Sequence, residues 1–211
     1  GNPDLIILPG SKNTIDDLIH LKQQGMEKAI LSCHKKGSLV LGICGGFQML
    51  GNIIRDPQNV EGKNCESTGL GFFDFETTFE SEKLTRQVEL TTVESSIFKS
   101  GLNCQGYEIH MGRTTFKTSY RSLFTSSEGE NAMNFGIINP EETVLGTYLH
   151  GFLDNNLFRQ ALLSHIRKQR NINQPSKPFD FTQFRKNELD RLSDLLSDSV
   201  NMKEVSKIIG I

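Results

Sequence analysis

Residues 38 to 46 read Ser-Leu-Val-Leu-Gly-Ile-Cys-Gly-Gly, an apolar run that ends in a cysteine between glycines. A short apolar run of this kind, here residues 39–43, is typical of a buried parallel strand. The spacing of Gly42, Cys44 and Gly46 matches the nucleophile elbow, with cysteine in place of serine. In that strained turn between a strand and a helix, the neighbouring positions must lack Cβ atoms. Residues 47–50 would begin the helix, so the segment predicts a strand, a turn that presents a thiol, and a helix.

The position of Cys44 also predicts its reactivity. A helix N-terminus carries partial positive charge and free N–H groups, which lower the pKa of a cysteine and favour the thiolate. We therefore expect Cys44 to be a nucleophile with a lowered pKa. The alternative is a buried free cysteine beside a glycine turn.

The segments before this stretch alternate between strands and helices. Residues 5–8 are typical of a buried strand, and it runs into a glycine turn at residues 9–11. A helix begins near Thr14, and a second helix over residues 26–36 leads to the strand at 39–43. This alternation predicts parallel strands and an α/β fold. In such sheets ligands bind at the carboxyl ends of the strands, which is where both glycine turns lie.

The alternation of strands and helices gives way to a different pattern at residue 69. Residues 69–94 are rich in phenylalanine and valine and predict β-rich, partly antiparallel structure, and residues 118–134 are typical of a surface loop or hairpin. An apolar strand over 144–149 ends at His150, and a helix over 155–168 follows. The phenylalanines could form an aromatic binding stripe, but core packing is the preferred interpretation.

The C-terminal part has a different composition. Residues 171–180 contain two prolines, Asn and Ser and predict a linker, and leucines at helical spacing follow over residues 184–200. Asn201 would cap a last short helix. We therefore divide the chain into a domain over residues 1–170 and a linker with C-terminal helices, residues 171–211, that pack on it.

Composition and charge give no indication of several classes of function. The formal net charge is −2 with mixed signs, which gives no indication of a nucleic-acid partner or a membrane surface. No apolar stretch approaches the length of a transmembrane helix. The four cysteines form no CxxC pair, which favours reduced thiols in a cytoplasmic protein and gives no indication of a metal site.

A thiol nucleophile needs a general base from another strand end. Two of the five histidines, His110 and His150, follow extended segments. His150 terminates an apolar strand beside Gly151, at the edge of the sheet where ligands bind. We therefore favour His150 as the base and keep His110 as the alternative.

Four blocks of sequence occur one after another along the chain. They are residues 8–14 (Leu-Pro-Gly-Ser-Lys-Asn-Thr), 42–51 (Gly-Ile-Cys-Gly-Gly-Phe-Gln-Met-Leu-Gly), 106–114 (Gly-Tyr-Glu-Ile-His-Met-Gly-Arg-Thr) and 146–151 (Gly-Thr-Tyr-Leu-His-Gly). This set resembles the glutamine amidotransferase half of the cobyric acid synthases over nearly the whole chain. The resemblance implies an α/β, flavodoxin-like class I glutamine amidotransferase fold. Its sheet would be mixed and mostly parallel, with helices on its faces.

The resemblance implies glutaminase chemistry. Cys44 would attack the side-chain amide carbon of L-glutamine, and His150 would activate the thiol and protonate the departing ammonia. Water would then hydrolyse the γ-glutamyl thioester. The backbone N–H groups of Gly45 and of Gly10 or Ser11 would form the oxyanion hole that such a reaction needs.

Four further residues are candidates for substrate binding. Gln48, one helical turn after Cys44, could bind the amino-acid head of glutamine or be an ordinary polar helix residue. Glu108, His110 and Arg113 could line the rim of the pocket or stabilise a polar turn.

In the family, the released ammonia passes to an N-terminal ATP-dependent synthetase domain that amidates four carboxylates of adenosylcobyrinic acid a,c-diamide. This sequence contains no Gly-x-x-x-x-Gly-Lys-[Ser/Thr] phosphate loop. We therefore expect ATP and magnesium in that partner domain, and no cofactor or metal in this chain. The family also has a strand and loop upstream of the position of Leu5, so we expect a domain that is truncated at its N-terminus and a sheet that lacks its first strand.

One position departs from the wider class. Many class I amidotransferases place a glutamate two residues after the histidine, where it orients the ring, but Phe152 occupies that position here. The cobalamin branch lacks this acid, so the departure agrees with the resemblance. Glu108, Asp154 or a backbone carbonyl could orient His150 instead.

Other functions remain open from the sequence. The nearest are the amidotransferase domain of a cobyrinic acid a,c-diamide synthase and an amidase that acts on cell-wall precursors. A cysteine hydrolase or thiol-dependent chaperone on the same scaffold, and a remnant without activity, are the others.

Overall fold

The computed structural model of the chain describes residues 1–126, 132–175 and 177–210. Its helices are α1 (Thr14–Gln23), α2 (Met26–Lys35), α3 (Gly45–Met49), α4 (Asn156–Gln169), α5 (Phe181–Ser199) and α6 (Met202–Ile209). Its strands are β1 (Leu5–Leu8), β2 (Leu39–Ile43), β3 (Ile53–Arg55), β4 (Glu66–Thr68), β5 (Phe75–Thr92), β6 (Asn103–Phe116), β7 (Arg121–Ser122), β8 (Phe124–Thr125), β9 (Gly136–Ile138), β10 (Val144–Thr147) and β11 (Leu149–His150). Short 3₁₀ helices span Ala132–Asn134 and Phe152–Asp154.

The first sheet carries the two glycine turns. Its strand order is β1-β2-β10-β9-β7, and β1, β2 and β10 run parallel. The apolar run at 39–43 is almost wholly buried between its neighbours, as the sequence predicts for a parallel strand. Because β1 and β2 are parallel, the turns that follow them lie side by side at one edge. The predicted α/β class and its mixed sheet are confirmed.

The second sheet is mainly antiparallel, which confirms the change of pattern after residue 69. Its order is β11-β6-β5-β3-β4, with β8 paired to β5. The long strands β5 and β6 form most of it, with an irregularity between Thr78 and Lys83. The phenylalanines at 73, 75 and 79 are buried and belong to the core, which agrees with the packing interpretation. Parallel pairing thus lies in the first sheet and in the β3–β5 pair, and the rest of the described pairing is antiparallel.

The strand predicted over residues 144–149 is interrupted, and the interruption moves His150 to the second sheet. Thr147 Oγ1 donates to the backbone oxygen of Phe135 at 2.6 Å and accepts from Leu149 N–H at 2.9 Å. These bonds let the chain leave β10 at Thr147 and continue as β11. There, His150 pairs with Tyr107 on β6. A side-chain hydroxyl, which competes with ladder hydrogen bonding, therefore decides which sheet carries the histidine.

The C-terminal helices form where the sequence predicts them. The N-cap residue of α5, Asp180, is joined to α4 through the hydrogen bond from Asn156 Nδ2 to Asp180 Oδ1, at 2.6 Å. Within the described residues, α5 and α6 bury none of their side chains, and the leucine face of α5 is exposed. The packing of these helices on the domain and the boundary at residue 170 stay predictions.

Parts of two predicted segments lie outside the described residues: positions 127–131 of the loop at 118–134 and position 176 of the linker at 171–180. None of the described helices combines the length and apolar character needed to cross a bilayer.

Candidate active site

One cleft collects residues from both sheets at the ends of β1 and β2. It has a volume of about 670 Å³ and lies where the two glycine turns meet strand β6 and the end of β11. Its lining consists of Gly10, Ser11, Lys12, Cys44, Gln48, Val60, Glu61, Lys83, Tyr107, Ile109, His110, Met111 and His150. The structure thus brings the predicted nucleophile and both candidate bases into a single cleft.

Cys44 has the strained backbone of a nucleophile elbow. Its φ of 52° and ψ of −111° lie in a region that residues other than glycine rarely adopt. The backbone is held there by the hydrogen bond from Cys44 N–H to Thr147 O at 2.8 Å. The turn also needs glycine at position 46, because a Cβ there would lie 2.0 Å from the backbone oxygen of Leu8. The glycine spacing seen in the sequence is therefore a requirement of the turn.

The predicted lowering of the Cys44 pKa is wrong for the protein without substrate. The thiol is buried, and its burial raises the pKa to about 11, against a smaller opposite effect of the Gly45 N–H. Glu61 raises it further by charge repulsion. Helix α3 has only five residues, so its N-terminus offers little positive potential. The resting group is a thiol whose Sγ lies 3.4 Å from Ile109 O as a hydrogen-bond donor.

His150 is well suited to accept that proton. Burial lowers its pKa below the usual value for histidine, although the Ile109 carbonyl opposes this by hydrogen bonding. The imidazole is therefore neutral at pH 7. Its Nε2 is buried and forms no hydrogen bond with any described residue. A thiol and a neutral imidazole with a free ring nitrogen in one cleft are the two groups that general-base activation of a nucleophile requires.

Gly10 lies between the nucleophile and the base. A Cβ at this position would be 3.5 Å from His150 Cε1 and 3.6 Å from Cys44 Cβ. The backbone N–H groups of Gly10 and Ser11 form no hydrogen bond within the described parts of the chain. A Cβ on Gly45 would lie 2.8 Å from Ser11 N, so the two turns nearly touch. The three predicted oxyanion-hole residues therefore adjoin Cys44, with free donors on the β1 side.

Two of the four predicted substrate-binding residues reach the cleft. Gln48 is buried, and its Nε2 donates to Met111 O at 3.0 Å, which ties α3 to β6 and commits one of its donors. His110 stacks on Tyr148, with ring centroids 3.9 Å apart, and burial lowers its pKa. His110 Nδ1 is buried and without a hydrogen-bond partner among the described residues.

Glu108 and Arg113 lie elsewhere. Both line a neighbouring cleft of about 670 Å³ and not the one that contains Cys44. The Glu108 carboxylate is buried against Arg86, whose Nε lies 2.6 Å from Glu108 Oε2. This ion pair across β5 and β6 supports the structural interpretation of Glu108. The structure gives neither residue a place beside the nucleophile.

Sequence reasoning missed Glu61. Its Oε2 accepts a hydrogen bond from Thr14 N–H at 2.9 Å, so a carboxylate distant in sequence caps α1. Burial raises the pKa of Glu61. The loop that carries it is organised by Asp56, which is fully buried and accepts from Val60 N–H at 2.8 Å and Glu61 N–H at 2.9 Å. No local pattern marks the role of Glu61, because its partner Thr14 lies 47 residues earlier in the chain.

Replacing Asp56 by alanine is expected to lower the free energy of unfolding by about 2–4 kcal/mol. The variant would leave two backbone N–H groups without their carboxylate, and each loss of this kind costs about 1–3 kcal/mol. Urea titration followed by circular dichroism measures the change. Asp198→Ala, at an exposed position on α5, is the matched control and should change it by less than about 0.5 kcal/mol. Equal stability of the two variants would contradict this account of the loop.

Comparison with known proteins agrees with this geometry. The CobB/CobQ-like glutamine amidotransferase domain matches residues 1–158. A cobyric acid synthase of Clostridium tetani is 39% identical over 215 aligned residues, which cover 100% of this chain and 42% of that protein. One from Dehalococcoides mccartyi is 41% identical with the same two coverages. The chain thus spans about two fifths of the length of the curated relatives it matches.

Among solved structures, that of PurLQS from Thermotoga maritima is similar, with a TM-score of 0.57 and 19% sequence identity. The match covers 77% of this chain and 80% of that one, and it supports the fold alone. The family match, the two relatives and the strained cysteine beside a neutral histidine agree with one another. On this evidence, the chain belongs to the family of CobB/CobQ-like glutamine amidotransferase domains.

Proposed function

We propose that this chain is the glutaminase half of a cobyric acid synthase and releases ammonia from L-glutamine through a Cys44 thioester. The observation that carries the proposal is the single cleft that holds the strained Cys44, the neutral His150 and the free N–H groups of the turn at residues 10 and 11. The fold places these groups together from three different parts of the chain.

The first half of the reaction forms the thioester. His150 takes the proton from Cys44 as Sγ attacks the side-chain amide carbon of glutamine. The amide oxygen becomes an oxyanion, and the N–H groups of Gly10, Ser11 and Gly45 supply donors for it. Preorganised donors of this kind typically contribute about 10²–10³-fold each in rate. The carbon–nitrogen bond then breaks, and His150 returns the proton to the departing ammonia.

The second half regenerates the enzyme. Water attacks the thioester carbon and gives a proton to His150. The carbon–sulfur bond breaks, glutamate leaves, and the thiolate of Cys44 recovers its proton from the imidazolium. The high pKa of Cys44 favours this return to the thiol, so the site would not accumulate a free thiolate that other electrophiles could modify.

The ammonia would pass to an ATP-dependent synthetase region that uses ATP and Mg²⁺ to activate carboxylates of adenosylcobyrinic acid a,c-diamide. The amidated positions would be the b, d, e and g carboxylates of this corrinoid. Support comes from the cobyric acid synthases that the chain resembles, which are more than twice as long as the matched part. We further propose a cytoplasmic location, consistent with four free cysteines.

Alkylation by a glutamine-analogue electrophile tests the glutaminase proposal. Diazo-oxo-norleucine should label Cys44, and free L-glutamine should suppress the labelling because both compete for one cleft. Mass spectrometry of tryptic peptides locates the label, and the exposed Cys65 is the internal control. A folded protein that remains unlabelled at Cys44 would contradict the proposal and favour a cysteine hydrolase of another specificity.

A further inference from the structure

His150 needs a fixed ring plane if it is to exchange a proton with Cys44. The position two residues later, where many class I enzymes carry an orienting acid, is Phe152. This side chain is buried in the core, and its ring packs edge-on against Phe158 with centroids 5.3 Å apart. The chain therefore orients the imidazole by some other contact.

The two carboxylates that the sequence offers as substitutes are engaged with arginines. Glu108 is held by Arg86 at 2.6 Å, and Asp154 faces Arg185 at 4.0 Å. Neither carboxylate forms an ion pair with His150 within the described residues, and His150 Nε2 has no hydrogen-bond partner there.

Tyr107, and neither of these acids, contacts the His150 ring. It is paired directly with His150 across strands β6 and β11. Its ring lies parallel to the imidazole, with an interplanar angle of 7° and centroids 5.2 Å apart. Such an offset stack is a favoured aromatic geometry. Tyr107 is also 43% exposed, so it contributes little to the core.

The backbone on both sides is shaped for this contact. A Cβ on Gly106 would lie 2.3 Å from the backbone oxygen of His150, so only glycine lets the two strands approach this closely. Gly151 has a φ of 74°, which turns the chain away directly after the histidine. A Cβ there would lie 3.6 Å from Tyr107 Cε1. The tyrosine ring thus faces the end of β11 at the point where the chain turns.

Strand β6 also brings a backbone carbonyl into the cleft. The carbonyl of Ile109, two residues along β6 from Tyr107, accepts from Cys44 Sγ at 3.4 Å and raises the pKa of His150 against the larger effect of burial. One strand therefore provides a stacking surface for the imidazole and an acceptor for the nucleophile.

We propose that Tyr107 is the positioning residue for His150, and that its stacked ring takes over the orienting role of the acid that Phe152 replaces. This inference rests on the proposed glutaminase function. The ring also presents its π-face to the imidazolium that forms when His150 takes up the thiol proton, and this arrangement favours the cation.

The test compares two substitutions in purified protein by steady-state release of glutamate from L-glutamine. Tyr107→Phe keeps the ring and should stay within about threefold of wild type in kcat. Tyr107→Leu removes the ring and should lower kcat by about 10–100-fold, because a misplaced catalytic group costs rates of this order. KM should change by less than about threefold in both variants, since the tyrosine acts on the base and not on the substrate.

Thermal unfolding of each variant separates loss of fold from loss of position, and Tyr107→Thr, a good strand former, serves if Tyr107→Leu does not fold. Wild-type kcat in Tyr107→Leu would overturn the proposal. An equal loss in Tyr107→Phe would assign the effect to the hydroxyl and overturn it too, and so would a loss in KM alone. Absence of glutamate release by the wild-type protein would instead contradict the proposed function itself.

Discussion

Replacing Cys44 by serine is expected to reduce glutamine hydrolysis by about 10³-fold or more and leave the fold intact. Serine has the same shape as cysteine with a smaller terminal atom, so the strained turn can form, but a serine hydroxyl is far less nucleophilic than a thiol at this site. Glutamate release measures the activity, and circular dichroism with thermal unfolding measures the fold. Residual turnover should come from the oxyanion donors and binding alone.

The matched control is Cys65→Ser, at an exposed cysteine outside the cleft. It should keep wild-type activity. Retention of more than about a tenth of the activity by Cys44→Ser would remove Cys44 from the proposed chemistry.

The same variant separates the two halves of the proposed synthase. In a longer protein that carries the synthetase region, Cys44→Ser should lose glutamine-dependent amidation and keep amidation driven by added ammonium salt. The reason is that external ammonia bypasses the thioester. Loss of both activities would contradict this division of labour.

Replacing His150 by alanine is expected to lower kcat by about 10²–10⁴-fold, the usual contribution of a general base. The effect should be large because the pKa of Cys44 is about 11, so almost no thiolate exists at neutral pH without a base. His165→Ala, on α4 and outside the cleft, is the matched control and should keep wild-type kcat.

The pH dependence of kcat/KM tests the assignment of His150 as the general base. Only the neutral imidazole accepts a proton, and burial lowers the pKa of His150 below its usual value of about 6.5. Wild-type kcat/KM should therefore hold down to pH 6.5 and fall only at lower pH, and the His150→Ala variant should lose this acid limb. An acid limb above pH 6.5, or one that survives in the variant, would contradict the assignment.

The elbow shows why part of the site could be predicted. Gly46 and Cys44 are constrained by atoms within a few residues or on the adjacent strand, and such constraints leave a spacing that is visible in the sequence. The interruption after Thr147 could not be predicted, since it depends on a hydroxyl that bonds with Phe135, twelve residues earlier. Because the strand is interrupted there, His150 lies on the second sheet.

The burial of a side chain is a second property that a local sequence pattern does not predict. The helix start at Cys44 suggested a lowered pKa, but the surrounding apolar packing removes water from the thiol and has the larger effect. Glu61 is a similar case, because its role depends on a contact with Thr14 that only the folded chain forms.

The sequence by itself determined the α/β class, the strand–turn–helix that presents Cys44, the histidine proposed as its base and the family of the chain. These features follow from apolar periodicity and from close backbone approaches that only glycine permits. The tertiary structure alone decided that Cys44 rests as a thiol, that Glu108 and Arg113 lie outside the cleft, and that Tyr107 faces His150. Burial and cross-strand register produce these features, and both arise between segments that are far apart in the chain.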